Sequence, residues 1–98
     1  MTEFGRTTRI NGAAGTDHGT GTVAFLAGGA IKAARVVADW PGLKPERLYQ
    51  GRDLMPTADL RAVSKGVLAD LYGVPSELSA EKIFPGSLNV PPMQGLVA

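Results

Sequence analysis

Only one stretch of this chain, residues 60–71, repeats apolar residues at helical spacing, and it lies between segments broken by glycine and proline. Leu60, Val63, Val67, Leu68 and Leu71 recur at intervals that place them on one stripe of an α-helix. Thr57 offers an N-cap hydroxyl, and Asp59 falls in the first turn, where the helix dipole favours a carboxylate. Gly73 supplies a left-handed C-terminal position and Pro75 prevents continuation. The spacing predicts a helix that packs through this stripe, with Lys65 on the opposite face.

Elsewhere 12 of the 13 glycines and all 7 prolines keep regular elements short. Residues 5–22, rich in Gly, Thr, Asn and Arg, read as a long functional loop, because loops of that length inside small domains usually bind or react. Residues 22–27, Thr-Val-Ala-Phe-Leu-Ala, suit a short buried strand. Gly28-Gly29 signals a turn. Residues 30–38 fit either a second strand or a helix; Ile31, Val36 and Val37 favour the strand, while the alanines favour the helix. The Asp39-Trp40-Pro41-Gly42-Leu43-Lys44-Pro45 segment interrupts any element, and a short strand is predicted over 47–50. Ser79 caps one more turn through Ile83, stopped by Pro85. The tail after Gly86 has no periodicity and reads as extended over another surface or disordered. The predicted organisation is one small α/β domain over residues 1–86, with a short mixed sheet, followed by a tail over 87–98.

Partner classes are narrowed by charge. With 10 basic against 9 acidic residues, spread along the chain, no basic stripe exists to follow a phosphate backbone, which disfavours nucleic acid. The absence of cysteine excludes disulfides, thiolate metal sites and a cysteine nucleophile. Residues 23–31 form the longest apolar run, which is glycine-interrupted and too short to span a bilayer. Met1-Thr2-Glu3-Phe4-Gly5-Arg6 has neither the basic nor the apolar region of a secretory signal, so the chain as written reads as cytoplasmic. A hydrophobic share of 44% in 98 residues leaves apolar surface near water and makes a partner surface, including a second copy of the chain, plausible.

The only histidine stands in Gly15-Thr16-Asp17-His18-Gly19-Thr20, directly after a carboxylate. An imidazole beside a carboxylate is the best available start on a divalent metal site in this chain. The bland alternative is a turn aspartate next to a solvated histidine.

Several segments together carry a resemblance. Glu3-Phe4-Gly5-Arg6-Thr7, Asn11-Gly12, Gly15-Thr16-Asp17-His18-Gly19-Thr20, Phe25-Leu26-Ala27-Gly28-Gly29-Ala30-Ile31 and the run from Asp53-Leu54-Met55-Pro56-Thr57 to Val63 are similar to the C-terminal part of a large bacterial family. It is the uncharacterised sulfatase-like family of the alkaline phosphatase superfamily, and the likeness covers most of residues 2–90. The resemblance implies a fragment of an alkaline-phosphatase-like fold with a metal-facing loop. Members run a strand into an Asp-His-Gly metal motif, and a later histidine binds the second metal. Thr2-Glu3-Phe4-Gly5 resembles the first motif, with Phe4 at the histidine position. His18 resembles the later histidine; in another register Asp17-His18-Gly19 lies on the Asp-His-Gly motif itself. Either way the resemblance implies His18 as a metal ligand, Asp17 as a second ligand or ring-orienting carboxylate, and Glu3 as a further ligand. The metal would be Zn²⁺ or Mn²⁺, with Ca²⁺ a further candidate. Arg6 and Arg9 would bind an anionic ester through paired guanidinium donors.

The nucleophile and the other ligands of that superfamily lie upstream of these motifs, so the chain reads as the C-terminal portion of a hydrolase, inactive alone and partnered by the missing N-terminal portion. The parent family is expected to be exported. A second expectation is a non-catalytic module that pairs with a copy of itself through exposed strand edges. A third is a small intact hydrolase acting as an oligomer, with Thr16, Thr20 and Thr22 near His18; no Gly-x-Ser-x-Gly elbow is present.

Overall fold

The computed structural model describes residues 5–32 and 34–98. Helix α1, Leu60–Tyr72, begins at Asp59 rather than at Thr57: Asp59 has extended backbone angles, and its Oδ1 accepts the Arg61 amide at 2.9 Å. A cap must place its oxygen over the second or third helical amide, and Asp59 stands where that reach is possible. The same carboxylate accepts from Arg61 Nε at 3.0 and 3.2 Å and from Nη2 at 2.7 Å. Hydrogen bonds from the Arg61 side chain, and then from its amide, lower the Asp59 carboxyl from 3.8 to about 2.

Because the folded value lies below the unfolded one, the stability Asp59 contributes is present above pH 4 and disappears as the pH falls towards 2. Asp59→Ala is expected to cost about 1 kcal/mol at neutral pH through the lost cap. The ion pair adds little, since both side chains are more than a third exposed. Urea unfolding at pH 7 and pH 2.5 checks this: the gap between wild type and variant should narrow markedly in acid.

At the other end Gly73 adopts φ 66°, as its sequence position predicts. The Gly73 and Val74 amides donate to the Ala69 and Leu68 carbonyls, both at 3.0 Å. Pro75 then leads into a single helical turn, α2 (Ser76–Leu78), which continues as a π-helical turn over Ser79–Ile83.

The face that α1 buries differs from the predicted one. Val63, Val67 and Leu68 are half-buried and Leu60 and Leu71 exposed, whereas Lys65 and Gly66 are buried. Lys65, expected on the solvated side, is 2% exposed. Its ammonium donates to the carbonyls of Ser87 at 2.6 Å and Val90 at 2.8 Å. Gly66 lets the following segment cross at contact distance: a Cβ there would lie 2.1 Å from the Met93 carbonyl oxygen. The Met93 amide donates to the Ala62 carbonyl at 2.9 Å. The residues after Gly86 are thus laid across α1. They end against residues 30–32, where Lys32 donates to Leu96, Ala98 donates to Ala30, and Ile31 bridges Val97.

Two compact units result. One comprises the chain up to Leu26 together with Val37–Thr57, and the other Ala27–Val36 with Ala58–Ala98. The sheet lies in the first unit and is antiparallel rather than mixed: strand β1 (Gly5–Arg6) pairs with β2 (His18–Gly19) in the register Gly5↔Gly19 and Arg6↔His18. The fold is a small mixed α/β arrangement. No strand forms over 22–27, the segment expected to be buried: Phe25 is 85% exposed, and no ladder partner meets it among the described residues. The 30–38 segment forms neither a helix nor a named strand among its described residues; it contributes a turn closed by Ile31 to Gly28 at 3.2 Å and the bonds and bridge to residues 95–98. A 3-10 turn, Pro45–Arg47, replaces the start of the strand expected over 47–50, because Pro45 presets the helical φ. No helix among the described residues is long and apolar enough to cross a membrane.

Candidate functional site

Asn11 organises the tip of the hairpin that carries His18. Its side-chain oxygen accepts the Ala13 amide at 2.9 Å and the Gly15 amide at 3.1 Å, the local turn that an Asn side chain is suited to build. Its amide nitrogen donates to Asp17 Oδ1 at 3.0 Å. Below the tip, Thr7 ties both backbone groups of Asp17: its amide donates to the Asp17 carbonyl at 3.1 Å, and its hydroxyl accepts the Asp17 amide at 3.2 Å. Asp17 and His18 are therefore held on an ordered ladder, although both are exposed.

Arg6 and His18 stand opposite each other across that ladder, and directly opposed residues share a face. Successive residues of an extended strand alternate faces, so Asp17 leaves the ladder on the other side, towards Asn11. Arg6 Nη1 donates to the Thr16 carbonyl at 2.8 Å, which draws the guanidinium along the hairpin. Arg9 reaches a different segment, where its Nε donates to the Gly51 carbonyl. Glu3 lies outside the described residues, and so does Phe4.

The residue that assembles these parts is Asp53, which the sequence did not single out. It follows a tight turn in which Gln50 (φ 53°) and Gly51 (φ 71°) are both left-handed, closed by the Tyr49 amide donating to the Asp53 carbonyl at 2.8 Å. The turn places Asp53 between Tyr49 and Thr7, bridged to each, and leaves it 2% exposed. Its Oδ2 accepts the amides of Thr20 and, at 3.3 Å, of Gly21. Burial alone would push this carboxyl up and is the largest single influence, but the hydrogen bonds from Thr20, Gly21 and Leu54 together outweigh it and hold the group below its usual value. Oδ1 is buried with no hydrogen-bond partner among the described residues.

Glycines at 19 and 21 make this clasp possible. A Cβ on Gly19 would lie 2.6 Å from Asp53 Oδ1, and one on Gly21 would lie 2.3 Å from the Leu54 carbonyl oxygen. A pattern of glycines flanking His18 was the available signal; the identity of their neighbour was not.

For a divalent cation the donor set is partial. One imidazole and one adjacent carboxylate are present, and among the described residues no group of three or more His, Asp or Glu side chains is placed to hold a metal ion. In the second unit a cavity of about 240 Å³ is bordered by Lys65, Ala80, Leu88, Val90, Pro91 and Pro92. Its walls are mainly apolar, and the lysine there is bonded to carbonyls.

The family described as "Protein of unknown function (DUF1501)" matches residues 1–83. No curated protein and no solved structure matches the chain.

Proposed function

The chain belongs to the DUF1501 family, and we propose that it supplies part of the metal site of a sulfatase- or phosphatase-like ester hydrolase, with His18 as its principal ligand. The observation that carries this reading is the construction around His18. Asn11, Thr7 and Asp53 fix the backbone on both sides of an exposed histidine that contributes nothing to a core. A ligand needs that kind of support, since a fixed ring loses little freedom on binding.

In this reading His18 offers an imidazole nitrogen and Glu3 is the further candidate for the shell, whereas Asp17 leaves the ladder on the opposite face, where it accepts from Asn11. A structural or catalytic zinc takes roughly three or four protein ligands, so groups beyond these would complete it. When bound, a Zn²⁺ or Mn²⁺ ion would polarise an ester oxygen and stabilise charge developing in the transition state. Arg6 would present its guanidinium on the His18 face to an anionic ester. Arg9 donates from its Nε to Gly51, and a guanidinium has five N–H donors for such a group. The likeness of the His18 and Glu3 segments to sulfatase-like proteins supports the same chemistry, with an alkaline-phosphatase-like setting for the sheet.

A second reading, self-association without catalysis, is favoured by one observation. Among the described residues Leu48, Ala80 and Leu96 are the buried apolar ones, while Phe25, Val36 and Leu88 are at least 75% exposed. Surface of that kind gains by being covered.

Titration with Mn²⁺ separates the two. Paramagnetic broadening is expected first at the His18 ring and at the amides of residues 16–20, and His18→Ala should abolish it. Equal broadening in wild type and His18→Ala would remove His18 from the site. A dimer that sediments identically with and without the cation, together with no localised broadening, would select the second reading.

A further inference from the structure

Lys65 carries a charge that its surroundings solvate but do not neutralise. A lysine is almost never this buried unless an acidic group pairs with it, because an ammonium taken out of water is costly to leave without a counter-charge. At 2% exposed, Lys65 meets two neutral carbonyls, those of Ser87 and Val90, and it forms no ion pair among the described residues. Asp59 feels its charge, but that carboxylate is committed to the Arg61 guanidinium and to the helix cap. An ammonium has three N–H donors, and the two carbonyls take two of them.

The same lysine borders the cavity of about 240 Å³ in the second unit. Ala80, Leu88 and Val90 give it apolar walls, and Pro91-Pro92 adds two rings that bring no amide donor. The Val90 amide is itself spent on the Ser87 carbonyl at 2.9 Å. One buried cation beside apolar walls suits a ligand with one anionic group and an apolar remainder. At about 30 Å³ for each water-sized group, the space holds about eight heavy atoms.

We propose that this cavity binds a small aliphatic monocarboxylate. The carboxylate takes the remaining Lys65 donor and supplies the missing counter-charge, a charge-assisted bond, while the chain lies against Leu88, Val90 and the two prolines. Glu77, exposed, also borders the cavity. Its charge repels a second carboxylate, so the site selects one anionic group rather than two.

The test uses the full chain at pH 7 with hexanoate, which matches the size of the cavity, and its neutral isostere hexanamide. Binding is read from the NMR shifts of Ala80, Leu88 and Val90. Hexanoate is expected to saturate these shifts at about millimolar concentration, and hexanamide to bind at least about tenfold more weakly, since a hydrogen bond to a charged partner is the stronger one. Adipate, with a carboxylate at each end, should bind more weakly than hexanoate. Glu77→Gln should tighten hexanoate binding about twofold to fivefold by removing an exposed like charge. Leu88→Ala should weaken it about fourfold, the worth of one buried methylene. Both substitutions fall at exposed positions, so the fold survives them. Lys65→Met should abolish the preference for hexanoate over hexanamide; if that variant does not fold, the two ligands and Glu77→Gln decide. Equal affinity for hexanoate and hexanamide in the wild type would overturn the proposal, as would the absence of saturable shifts at tens of millimolar hexanoate.

Discussion

Lys65→Ala is expected to lower stability by about 3 kcal/mol, because two buried carbonyls lose their donor and a buried acceptor left unsatisfied costs about 1–3 kcal/mol. The truncation strips the donor from two carbonyls, those of Ser87 and Val90, and leaves them inside the protein. It also vacates the space of a side chain that is 2% exposed. Alanine is at least as good a helix former as lysine, so helix propensity cannot account for a loss. Leu68→Ala removes an apolar side chain from a half-buried position and should cost less, about 2 kcal/mol, at the low end for core leucines. Lys82→Ala, at an exposed position, should fall within about 0.5 kcal/mol of wild type. Urea unfolding of the three variants gives the order directly. A Lys65→Ala midpoint equal to that of Lys82→Ala would show that the ammonium does not hold the segment over residues 87–90.

Gly66→Ala should destabilise the second unit even though the same change on an exposed helix face stabilises by about 1 kcal/mol. The added methyl carbon would fall 2.1 Å from the Met93 carbonyl oxygen, a main-chain atom that cannot rotate away. Either α1 or the crossing segment must shift, and the Met93 to Ala62 hydrogen bond lies next to the collision. Overpacking of this kind costs about 1–3 kcal/mol. Amide exchange is the sensitive readout: Met93, Lys32 and Ala98 should lose protection while the amides within α1 keep theirs. A variant more stable than wild type, with Met93 still protected, would mean that the crossing is looser than the distances indicate.

The parts of this structure that were legible in the sequence are those settled within a few residues. The helix over residues 60–72, its stop at Gly73 and Pro75, and the turn ending before Pro85 follow from spacing, a left-handed glycine and missing amide donors. The errors arose where a residue's role is decided from far along the chain. Lys65 reads as a surface residue because lysines usually are, and nothing near it announces carbonyls 22 and 25 residues later. Asp53 stands out in no local pattern, since its amide partners lie 32 and 33 residues earlier. The apolar run over 22–27 has the composition of a strand, but composition does not supply the neighbour that a ladder requires. In the candidate site, the Asp17-His18 pair and its glycines were visible, whereas the alternation that sends the two side chains to opposite faces depends on the register Arg6↔His18. Thr57 lost the cap to Asp59 by two positions, because a side chain that also engages Arg61 has the better use of that place.

The separation between Thr20 and Asp53 also sets an order of events during synthesis. The hairpin bearing His18 has only two short strands and a few local turn bonds, too little to persist alone in water. Its strongest restraint is made by a residue that leaves the ribosome 33 positions later. Closing a loop of that length has an entropic cost that must be met before the contact returns anything. While Asp53 remains in the exit tunnel, the nascent His18 segment has no fixed conformation. The hairpin gains its fixed form only when the Gln50-Gly51 turn has emerged and swung the carboxylate under Thr20.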